Sequence, residues 1–434
     1  MVSGTSVQPQ TVDFSDAAPV ARPPLRARLI AVLPDWLIHA LRVHGPIVSL
    51  LAVSLGLRLY RLGERAGQLI GDEEWYIQDA RVLLGLPVHL HHLPSAPLSG
   101  LDPNSEHPPL AKLIIAGSMK LFGVREFAWR LPSVLLGTLS IWLLYRIVLA
   151  LRGSQGQAFF AAFLLAFDNM SFIHGRIAML DVYMVTFLLL GTLLYLHDYF
   201  ELSGVAFAVG ALCKLTGLLG LFAMLLYDAL LARKQWREPS WPSLRRRAAA
   251  VVFCGGFLIL GLGALDCYFT EFHSPFAHFY SMFHYHSGLK HTGPSSGNES
   301  TPFQWWLNSG TMDYSSWNIT SNGVTQRALF RSEMNHYLIF VAPFALFYAA
   351  QQTWKNGSRL GAFALASVAG NFGPMFLVWA IMSRTSYIFY MLPSIPGIAS
   401  AVTLGVFALP RPIRWAYAGG ILYAFFFSFP FKYF

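Results

Sequence analysis

Apolar segments separated by short polar ones recur along most of this chain. Most of them are about 17–25 residues long, the length that an α-helix needs to cross the hydrocarbon core of a membrane. They lack the alternation of apolar and polar residues that is typical of membrane β-barrel strands. The pattern therefore predicts an all-α polytopic membrane protein. We predict about eleven spans, at residues 44–60, 127–149, 157–172, 178–197, 204–214, 216–232, 248–266, 336–352, 360–380, 387–408 and 413–430.

Two polar segments are long enough to form outer loops with structure of their own. In the first, residues 61–125, the apolar run 110–122 is too short to span, so we expect a half-inserted or interfacial helix there. The second, residues 267–335, is long enough for a lid or a binding surface. Residues 1–26 are polar and proline-rich, which predicts a disordered tail. Residues 27–434 are expected to form one membrane domain.

Lysine and arginine cluster in alternate loops, at residues 146–152, 233–247, 355–359 and 411–414. Loops rich in these residues stay on the cytoplasmic side of a membrane. The alternation therefore predicts a cytoplasmic N-terminus, an outer C-terminus and an outer location for both long loops. The net charge of +9 is explained by this topology, so we expect no nucleic-acid partner.

Composition agrees with a membrane protein and offers little for metal binding. Charged residues make up 12% of the chain, against about 25% in a typical soluble domain. The three cysteines have no metal-type spacing and are interpreted as packing residues. Histidines are dense in the outer loops, but they too lack a recognised ligand spacing. No cofactor is implied, and the sequence leaves a divalent metal open.

The most unusual polar residues follow the first predicted span. Asp72, Glu73 and Glu74 are consecutive carboxylates in a largely apolar chain, and a second polar block runs from Glu106 to Lys112. Acidic groups just outside a bilayer indicate chemistry at the membrane surface. The acids in the first turn of a juxtamembrane helix would show the same pattern, because the helix dipole favours them there.

Taken in chain order, these motifs resemble the protein O-mannosyltransferases, which are membrane glycosyltransferases of the GT-C fold. The matching residues are Asp72-Glu73 with Trp75-Tyr76, His107-Pro108-Pro109-Leu110 with Lys112, Arg130-Leu131-Pro132-Ser133, Arg176 with Asp181, Lys214 with Gly217 and, more weakly, Arg384 with 387–396. Eukaryotic members carry a β-trefoil MIR domain in the large outer loop. Residues 267–335 are too few to hold it, so the resemblance is to a bacterial or archaeal form.

The resemblance implies that Asp72 is the catalytic base, which takes a proton from the acceptor hydroxyl. Glu73 would help to bind the acceptor or orient the site. Four cations would bind the phosphate or lipid of the donor, and snorkelling to the membrane surface is their alternative. These cations are Lys112, Arg130, Lys214 and Arg384. Acceptor-binding or site-shaping roles are expected for Glu106, His107, Arg176 and Asp181, with a pair between Arg176 and Asp181 as one arrangement.

The predicted reaction is transfer of mannose, with inversion, from polyprenyl-phosphate mannose to Ser or Thr hydroxyls of secreted proteins at the outer membrane face. The secretion translocon is a further candidate partner. A related enzyme that glycosylates lipids, of the aminoarabinose type, is the first alternative, although such enzymes typically have Lys at the position of His107. A transporter is the second alternative, but its ionisable residues would lie at the membrane midplane. A non-catalytic membrane protein would leave the ordered motifs unexplained.

Overall fold

A computed structural model describes residues 35–63, 71–88, 101–232, 241–269, 272–290, 299–321 and 324–429. The chain divides into two compact units, Met1–Pro46 and Ile47–Phe434. In the first unit, the described residues are the beginning of the first helix, so the predicted tail at 1–26 and its boundary lie outside the described residues.

The described part of the chain is almost entirely helical. Its helices are α1 (Asp35–Leu59), α2 (Glu73–Leu83), α3 (Leu110–Phe122), α4 (Glu126–Ala150), α5 (Gln155–Ala166), α6 (Asn169–His174), α7 (Leu180–Leu196), α8 (Phe200–Cys213), α9 (Leu218–Ala232), α10 (Trp241–Phe269), α11 (Pro275–Gly288), α12 (Pro302–Trp306), α13 (His336–Asn356), α14 (Arg359–Met382), α15 (Ile395–Phe407) and α16 (Arg411–Ser428). Short 3₁₀ turns at Leu215–Gly217 and Ile388–Ser394 lead into α9 and α15.

The predicted all-α membrane fold is confirmed, and each predicted span coincides with helical residues. Within the described residues, five helical segments are long and apolar enough to cross a membrane: Glu126–Ala150, Leu215–Ala232, Arg247–Phe269, Arg359–Met382 and Ile388–Phe407. Shorter apolar helices account for most of the others. The count of eleven spans stays a prediction. The span at 157–172 was drawn too long, because the helix ends at Ala166 and Asp168 caps a new one through the Ser171 N–H.

The core lies among helices that are apolar on all sides. Helix α7 packs against α4 and α8, α8 packs against α10, and α9 packs against α14. Helices without a polar face are expected inside a bundle or a membrane. Close approach is possible because Gly204 of α8 lies against the backbone of α10 at Ala250, where a Cβ atom would collide with the carbonyl. The bundle therefore forms a tightly packed base for the two outer loops.

The first outer loop contains two helices. Residues 110–122 form α3 with the bounds of the predicted short helix. The other, α2, begins directly after Asp72 and buries one side of its length, including Tyr76, Ile77 and Ala80. The two helices pack against each other, and α3 also packs against α4. This packing fixes the acidic segment to the membrane bundle.

The second outer loop contains more structure than the sequence interpretation anticipated. It holds α11, α12 and an antiparallel hairpin of β1 (Met312–Ser321) and β2 (Val324–Ser332). The pairing runs from Met312 opposite Ser332 to Ser321 opposite Val324, with an irregularity between Asp313 and Ser315. The dipeptide Asn322-Gly323 between the two strands is a recognised hairpin signal that could have revealed it. This hairpin contributes directly to the site described next.

Candidate active site

A cavity of about 530 Å³ lies where both outer loops meet the bundle. Its walls are formed by the start of α2, the loop before α3, the turn after α8 and the end of α11. The C-terminal part of α14 and the segment that follows α14 complete them. Its lining residues are Asp72, Trp75, Tyr76, Asn104, Glu106, His107, Lys214, Leu215, Thr216, Phe283, Tyr285, His286, Ser287, Leu289, Met375, Val378, Met382, Arg384, Tyr387, Phe389 and Tyr390. Five of the ten predicted site residues therefore lie in one place: Asp72, Glu106, His107, Lys214 and Arg384.

The cavity has a polar wall and an apolar wall. Met375, Val378 and Met382 share one face of α14, because residues three and four apart are neighbours on a helix. Phe283 of α11 completes this wall and is 68% exposed, so the cavity opens to the surface of the protein on this side. The exposed Ile381 of α14 continues the apolar surface. A ligand with a charged head and a hydrocarbon tail matches this division.

Asp72 is presented to the cavity by the residue before it. Gly71 has a φ of +59°, a conformation that glycine adopts without strain. Its N–H donates to the Tyr314 carbonyl of β1 at 3.3 Å, and a Cβ atom at Gly71 would lie 2.7 Å from the Tyr314 ring. Asp72 caps α2 by position, but its carboxylate makes no capping hydrogen bond. The hairpin thus holds the backbone while the carboxylate faces the cavity.

The surroundings of Asp72 favour a proton acceptor of higher basicity than an ordinary aspartate. Burial raises the pKa of Asp72, Lys214 opposes the rise, and the charge of Asp181 adds to it. A carboxylate with a raised pKa binds a proton more tightly and is the better general base. The geometry therefore agrees with the base role that the resemblance implied for Asp72.

Glu73 and Arg130 lie next to the cavity but do not line it. The buried Glu73 carboxylate accepts from Arg130 Nε at 2.9 Å and Nη2 at 2.7 Å, and from the Ala178 N–H at 2.8 Å. Arg130 also donates to the Leu62 carbonyl at 3.1 Å. Of the two predicted roles for Glu73, orientation of the site fits this geometry. Arg130 therefore lies against the first residue of α2 and does not face the cavity, unlike Lys214 and Arg384.

Lys214 sits at a break in the helix run. Its backbone is extended, with a φ of −159°, because the chain leaves α8 and folds back into the 3₁₀ turn. Gly217 permits this fold, since a Cβ atom there would lie 2.5 Å from the Gly210 carbonyl carbon and the Ala211 nitrogen. The Lys214 ammonium bonds the Asp181 carboxylate at 2.7 Å and lies 5.1 Å from the centre of the Phe389 ring. The motif that ends at Gly217 thus positions one cation of the cavity.

The predicted pair between Arg176 and Asp181 is wrong, because Asp181 pairs with Lys214 instead. Arg176 is buried, donates to the Tyr60 carbonyl at 3.0 Å and contacts the rings of Phe172 and Phe429. It does not line the cavity. Sequence spacing could not choose between the two cations, because Lys214 reaches Asp181 only through the packing of α8 on α7.

Lys112 holds the loop before α3 and is not in the cavity. Its buried ammonium contacts the Asp102 carboxylate at 2.6 Å and donates to the carbonyls of Asn104 at 2.5 Å and His107 at 2.9 Å. The predicted alternatives for this lysine are snorkelling and binding of the donor phosphate, and its fully buried ammonium, paired with Asp102, fits neither. Glu106 accepts from the Asn104 amide at 2.8 Å, so the loop is internally braced.

We expect Lys112→Met to lower the free energy of unfolding, with little effect on the affinity for the donor. Removing the ammonium leaves the Asp102 carboxylate buried without its partner, and breaking a buried pair costs about 3–5 kcal/mol. The matched control is Lys120→Met on the exposed face of the same helix. The free energy of unfolding in detergent is the measurement. Near-normal stability together with lost donor binding would instead assign Lys112 to the donor.

The remaining polar wall is formed by Glu106, His107, His286 and Arg384. Burial raises the pKa of Glu106, and burial together with nearby cations holds the pKa of His107 well below its usual range. The rings of His107 and His286 have centres 5.2 Å apart. Arg384 is bonded to His286 and Tyr390. The wall is therefore cationic at Lys214 and Arg384, and its histidines are neutral at physiological pH.

Sequence reasoning missed several residues that build the site. Asp102 lies ten positions before its partner Lys112, Tyr314 belongs to the unpredicted hairpin, and His286 was one of many histidines without a distinguishing pattern. Within the described ranges, no group of three His, Cys, Asp or Glu side chains is arranged to hold a metal ion. Four of the histidines that make the two long loops histidine-rich, His89, His91, His92 and His291, lie outside the described residues.

Residues 106–259 match the profile of the family described as dolichyl-phosphate-mannose-protein mannosyltransferase. The predicted family resemblance is confirmed. The polyprenol-phosphate-mannose–protein mannosyltransferase of Mycobacterium tuberculosis is 34% identical over 145 residues, which cover 33% of this chain and 26% of that protein. The chain thus matches about a quarter of that relative's length.

Solved structures confirm the GT-C fold over nearly the whole chain. The Saccharomyces cerevisiae protein O-mannosyltransferase Pmt1-Pmt2 complex bound to the sugar donor has a TM-score of 0.67 at 12% identity, with 92% of this chain and 91% of that chain covered. ArnT from Cupriavidus metallidurans bound to undecaprenyl phosphate has a TM-score of 0.56 at 17% identity, with 86% and 62% covered. At these identities the likeness concerns the fold.

Proposed function

We propose that this protein transfers mannose from a polyprenyl-phosphate carrier to Ser or Thr hydroxyls of proteins, with inversion at the sugar carbon. The observation that carries this proposal is the placement of Asp72. The Asp72 carboxylate, whose pKa is raised, faces a cavity whose polar wall holds two cations and whose other wall is apolar. The family match and the names of the curated relatives support mannose and a polyprenyl carrier.

The two walls of the cavity suit the two ends of such a donor. The hydrocarbon chain would lie along Phe283, Met375, Val378 and Met382, and continue over the exposed surface of α14. The phosphate would lie near Lys214 and Arg384, which neutralise its charge. The solved structures of similar fold include one with undecaprenyl phosphate and one with a sugar donor.

The reaction follows from this arrangement. Asp72 accepts the proton of the acceptor hydroxyl as its oxygen attacks C1 of the sugar. The bond between C1 and the phosphate oxygen breaks, and the electron pair leaves with the polyprenyl phosphate. Lys214 and Arg384 stabilise the charge that develops on this leaving group. Attack from the face opposite the phosphate inverts the configuration at C1, and Asp72 later releases its proton to water.

The site is proposed to face the outer side of a prokaryotic cell membrane. The positively charged loops support this orientation, because they would then lie in the cytoplasm. Secreted proteins would meet Asp72 as they leave the secretion translocon, so extended chains with accessible hydroxyls are the proposed acceptors. The carrier enters from the lipid through the apolar wall, and the acceptor enters from the aqueous side.

A purified-protein assay with competing acceptors tests this proposal. The protein is reconstituted in liposomes with polyprenyl-phosphate mannose that carries a label on the mannose. One sample contains a Ser/Thr-rich peptide as acceptor, and a parallel sample contains lipid A. We expect label on the peptide, and none on a matched peptide in which every Ser and Thr is Ala. Label on lipid A alone would contradict the proposal and indicate an enzyme that glycosylates lipids.

The pH dependence of transfer should report on Asp72. A general base works only when deprotonated, so activity is lost as the pH falls through its pKa. Burial raises this pKa, and we expect kcat/KM to fall on the acidic side with a midpoint above the ordinary aspartate value of about 4. Glu106→Gln should keep this midpoint if Asp72 is the base. Loss of the acidic limb in the Glu106 variant would move the base role to Glu106.

A further inference from the structure

The end of α11 carries a histidine whose two ring nitrogens are both occupied. His286 Nδ1 lies 3.0 Å from Arg384 Nη2, and His286 Nε2 lies 3.0 Å from the carbonyl oxygen of Glu106. Arginine has no acceptor atoms, so Nδ1 must accept and the ring proton must be on Nε2. That proton is donated to Glu106. The ring is therefore a neutral imidazole in one defined tautomer.

This tautomer is favoured by the surroundings. Burial, followed by the positive charge of Arg384, lowers the pKa of His286 to about 4. A protonated ring would bring two positive charges together and would lose its acceptor for Arg384. Because both nitrogens already have partners, His286 is also unsuited to act as a second general base. Its contribution must pass through the groups that it contacts.

Arg384 depends on His286 for most of its placement. Its Nε donates to the His286 carbonyl at 3.0 Å, its Nη2 donates to the His286 ring, and its Nη1 donates to the Tyr390 hydroxyl at 3.3 Å. A guanidinium has five N–H bonds, so two are left for the cavity once these three described contacts are counted. The guanidinium also lies 5.6 Å from the centre of the Tyr390 ring.

The backbone around Arg384 is fixed on the same side. Lys290 and Arg384 form an antiparallel bridge, and the Thr385 N–H donates to the Leu289 carbonyl at 3.0 Å. Ser383, which precedes Arg384, has a φ of +51°, an uncommon conformation for a residue other than glycine. The chain after α14 is thus turned back against the end of α11, where His286 meets the side chain.

We propose that His286 is a positioning residue that aims the Arg384 guanidinium at the phosphate of the lipid carrier while tying it to the loop that bears Glu106 and His107. This inference rests on the proposed function. One imidazole joins three parts of the cavity wall: the end of α11, the loop before α3 and the segment after α14. Its loss would leave Arg384 with fewer fixed contacts, and the affinity for the carrier phosphate would fall.

Two substitutions separate the contacts of His286. The oxygen of an asparagine side chain comes near the place of Nδ1, so His286→Asn keeps an acceptor for Arg384 and loses the bond to Glu106. The nitrogen of a glutamine side chain comes near the place of Nε2, so His286→Gln keeps the bond to Glu106 and turns away from Arg384. Backbone contacts are the same in both variants. The pair therefore tests which contact matters for the donor.

The experiment measures binding of undecaprenyl phosphate to the full chain in detergent micelles, followed by the donor KM and kcat for transfer. We expect His286→Gln and His286→Ala to raise the Kd and the donor KM about tenfold, because a hydrogen bond to a charged group is lost. His286→Asn should stay within about threefold of the wild type, and kcat should fall together with donor affinity in the Gln and Ala variants, because Arg384 also stabilises the leaving phosphate. His284→Asn and His284→Gln are the matched controls, because His284 is exposed two residues away and stacks on Tyr280.

The outcomes are distinguishable. Weak binding in Gln and Ala, with near-normal binding in Asn, supports the proposal. Equal loss in all three variants, or no loss in any, overturns it, because Arg384 would then not depend on the Nδ1 acceptor. A wild type that does not bind the carrier contradicts the proposed donor and overturns the inference with it. Thermal unfolding of every variant shows whether any loss reflects misfolding instead, and only folded variants enter the comparison.

Discussion

Asp72→Asn should abolish sugar transfer while leaving the donor bound. General base catalysis typically contributes a factor of about 10²–10⁴, so kcat should fall by that amount. Asparagine has nearly the same shape as aspartate but cannot take the proton. The Asp72 carboxylate makes no capping bond to α2, and Gly71 and Tyr314 hold its backbone, so the variant should fold. The measurement is single-turnover transfer from a labelled donor together with carrier binding.

The neighbouring carboxylate supplies the control for this prediction. Glu74 lies two positions along the same helix, is half-buried, and does not line the cavity. We expect Glu74→Gln to transfer at nearly the wild-type rate, although it removes the same charge from the same turn. If both variants lose activity equally, the effect belongs to the charge of the helix start, and Asp72 is not the base.

Loss of one partner of the Glu73–Arg130 pair should cause a large loss of stability. Glu73 and Arg130 are both buried, and their bonds join the residues around Leu62 and Ala178 to α2 and α4. Removing one partner of a buried pair costs about 3–5 kcal/mol, because the other charge stays in an apolar environment. We expect Glu73→Ala and Arg130→Met each to lower the free energy of unfolding by this amount, as measured in detergent with denaturant.

Two comparisons identify the cause. The double variant Glu73→Leu with Arg130→Met leaves no unpaired buried charge, so it should recover much of the stability lost in either single variant. The exposed pair Asp313–Arg331 has side chains that are 38% and 44% accessible, and Arg331→Met should cost only about 0–1 kcal/mol. A double variant less stable than both single variants would mean that the pair stabilises the protein through its specific geometry.

The helices of this protein could be predicted from the sequence because a membrane span needs a continuous apolar run of sufficient length. Continuous apolar runs predicted the helices, and α3 has its predicted bounds because the apolar run from Leu110 to Phe122 lies between Pro109 and Gly123. The ordered motifs predicted that Asp72, Glu106, His107, Lys214 and Arg384 would matter, and the structure brings them to one cavity. Local patterns and family resemblance supplied both results.

The ion-pair partners of the charged residues could not be predicted from the sequence. Charge and position made Arg130 and Lys112 resemble ligands for a phosphate. Arg130 instead donates to Glu73 and Leu62 from two distant segments, and Lys112 is bound by the loop before its own helix. Lys214 lines the cavity, but the sequence offered Arg176, and not Lys214, as a partner for Asp181. Pairing between residues 33 or 57 positions apart is decided by helix packing, which a one-dimensional pattern does not contain.

The proposed reaction moves mannose from a lipid phosphate to a protein hydroxyl by a single displacement. The most direct measurement is the configuration at C1 in the product, determined by NMR on a glycopeptide made by the purified protein from a donor of known anomer. We expect one hexose on Ser or Thr, with the opposite configuration to the donor. A product of retained configuration would contradict the single displacement with Asp72 as base, and a sugar found only on lipid would contradict the proposed acceptor.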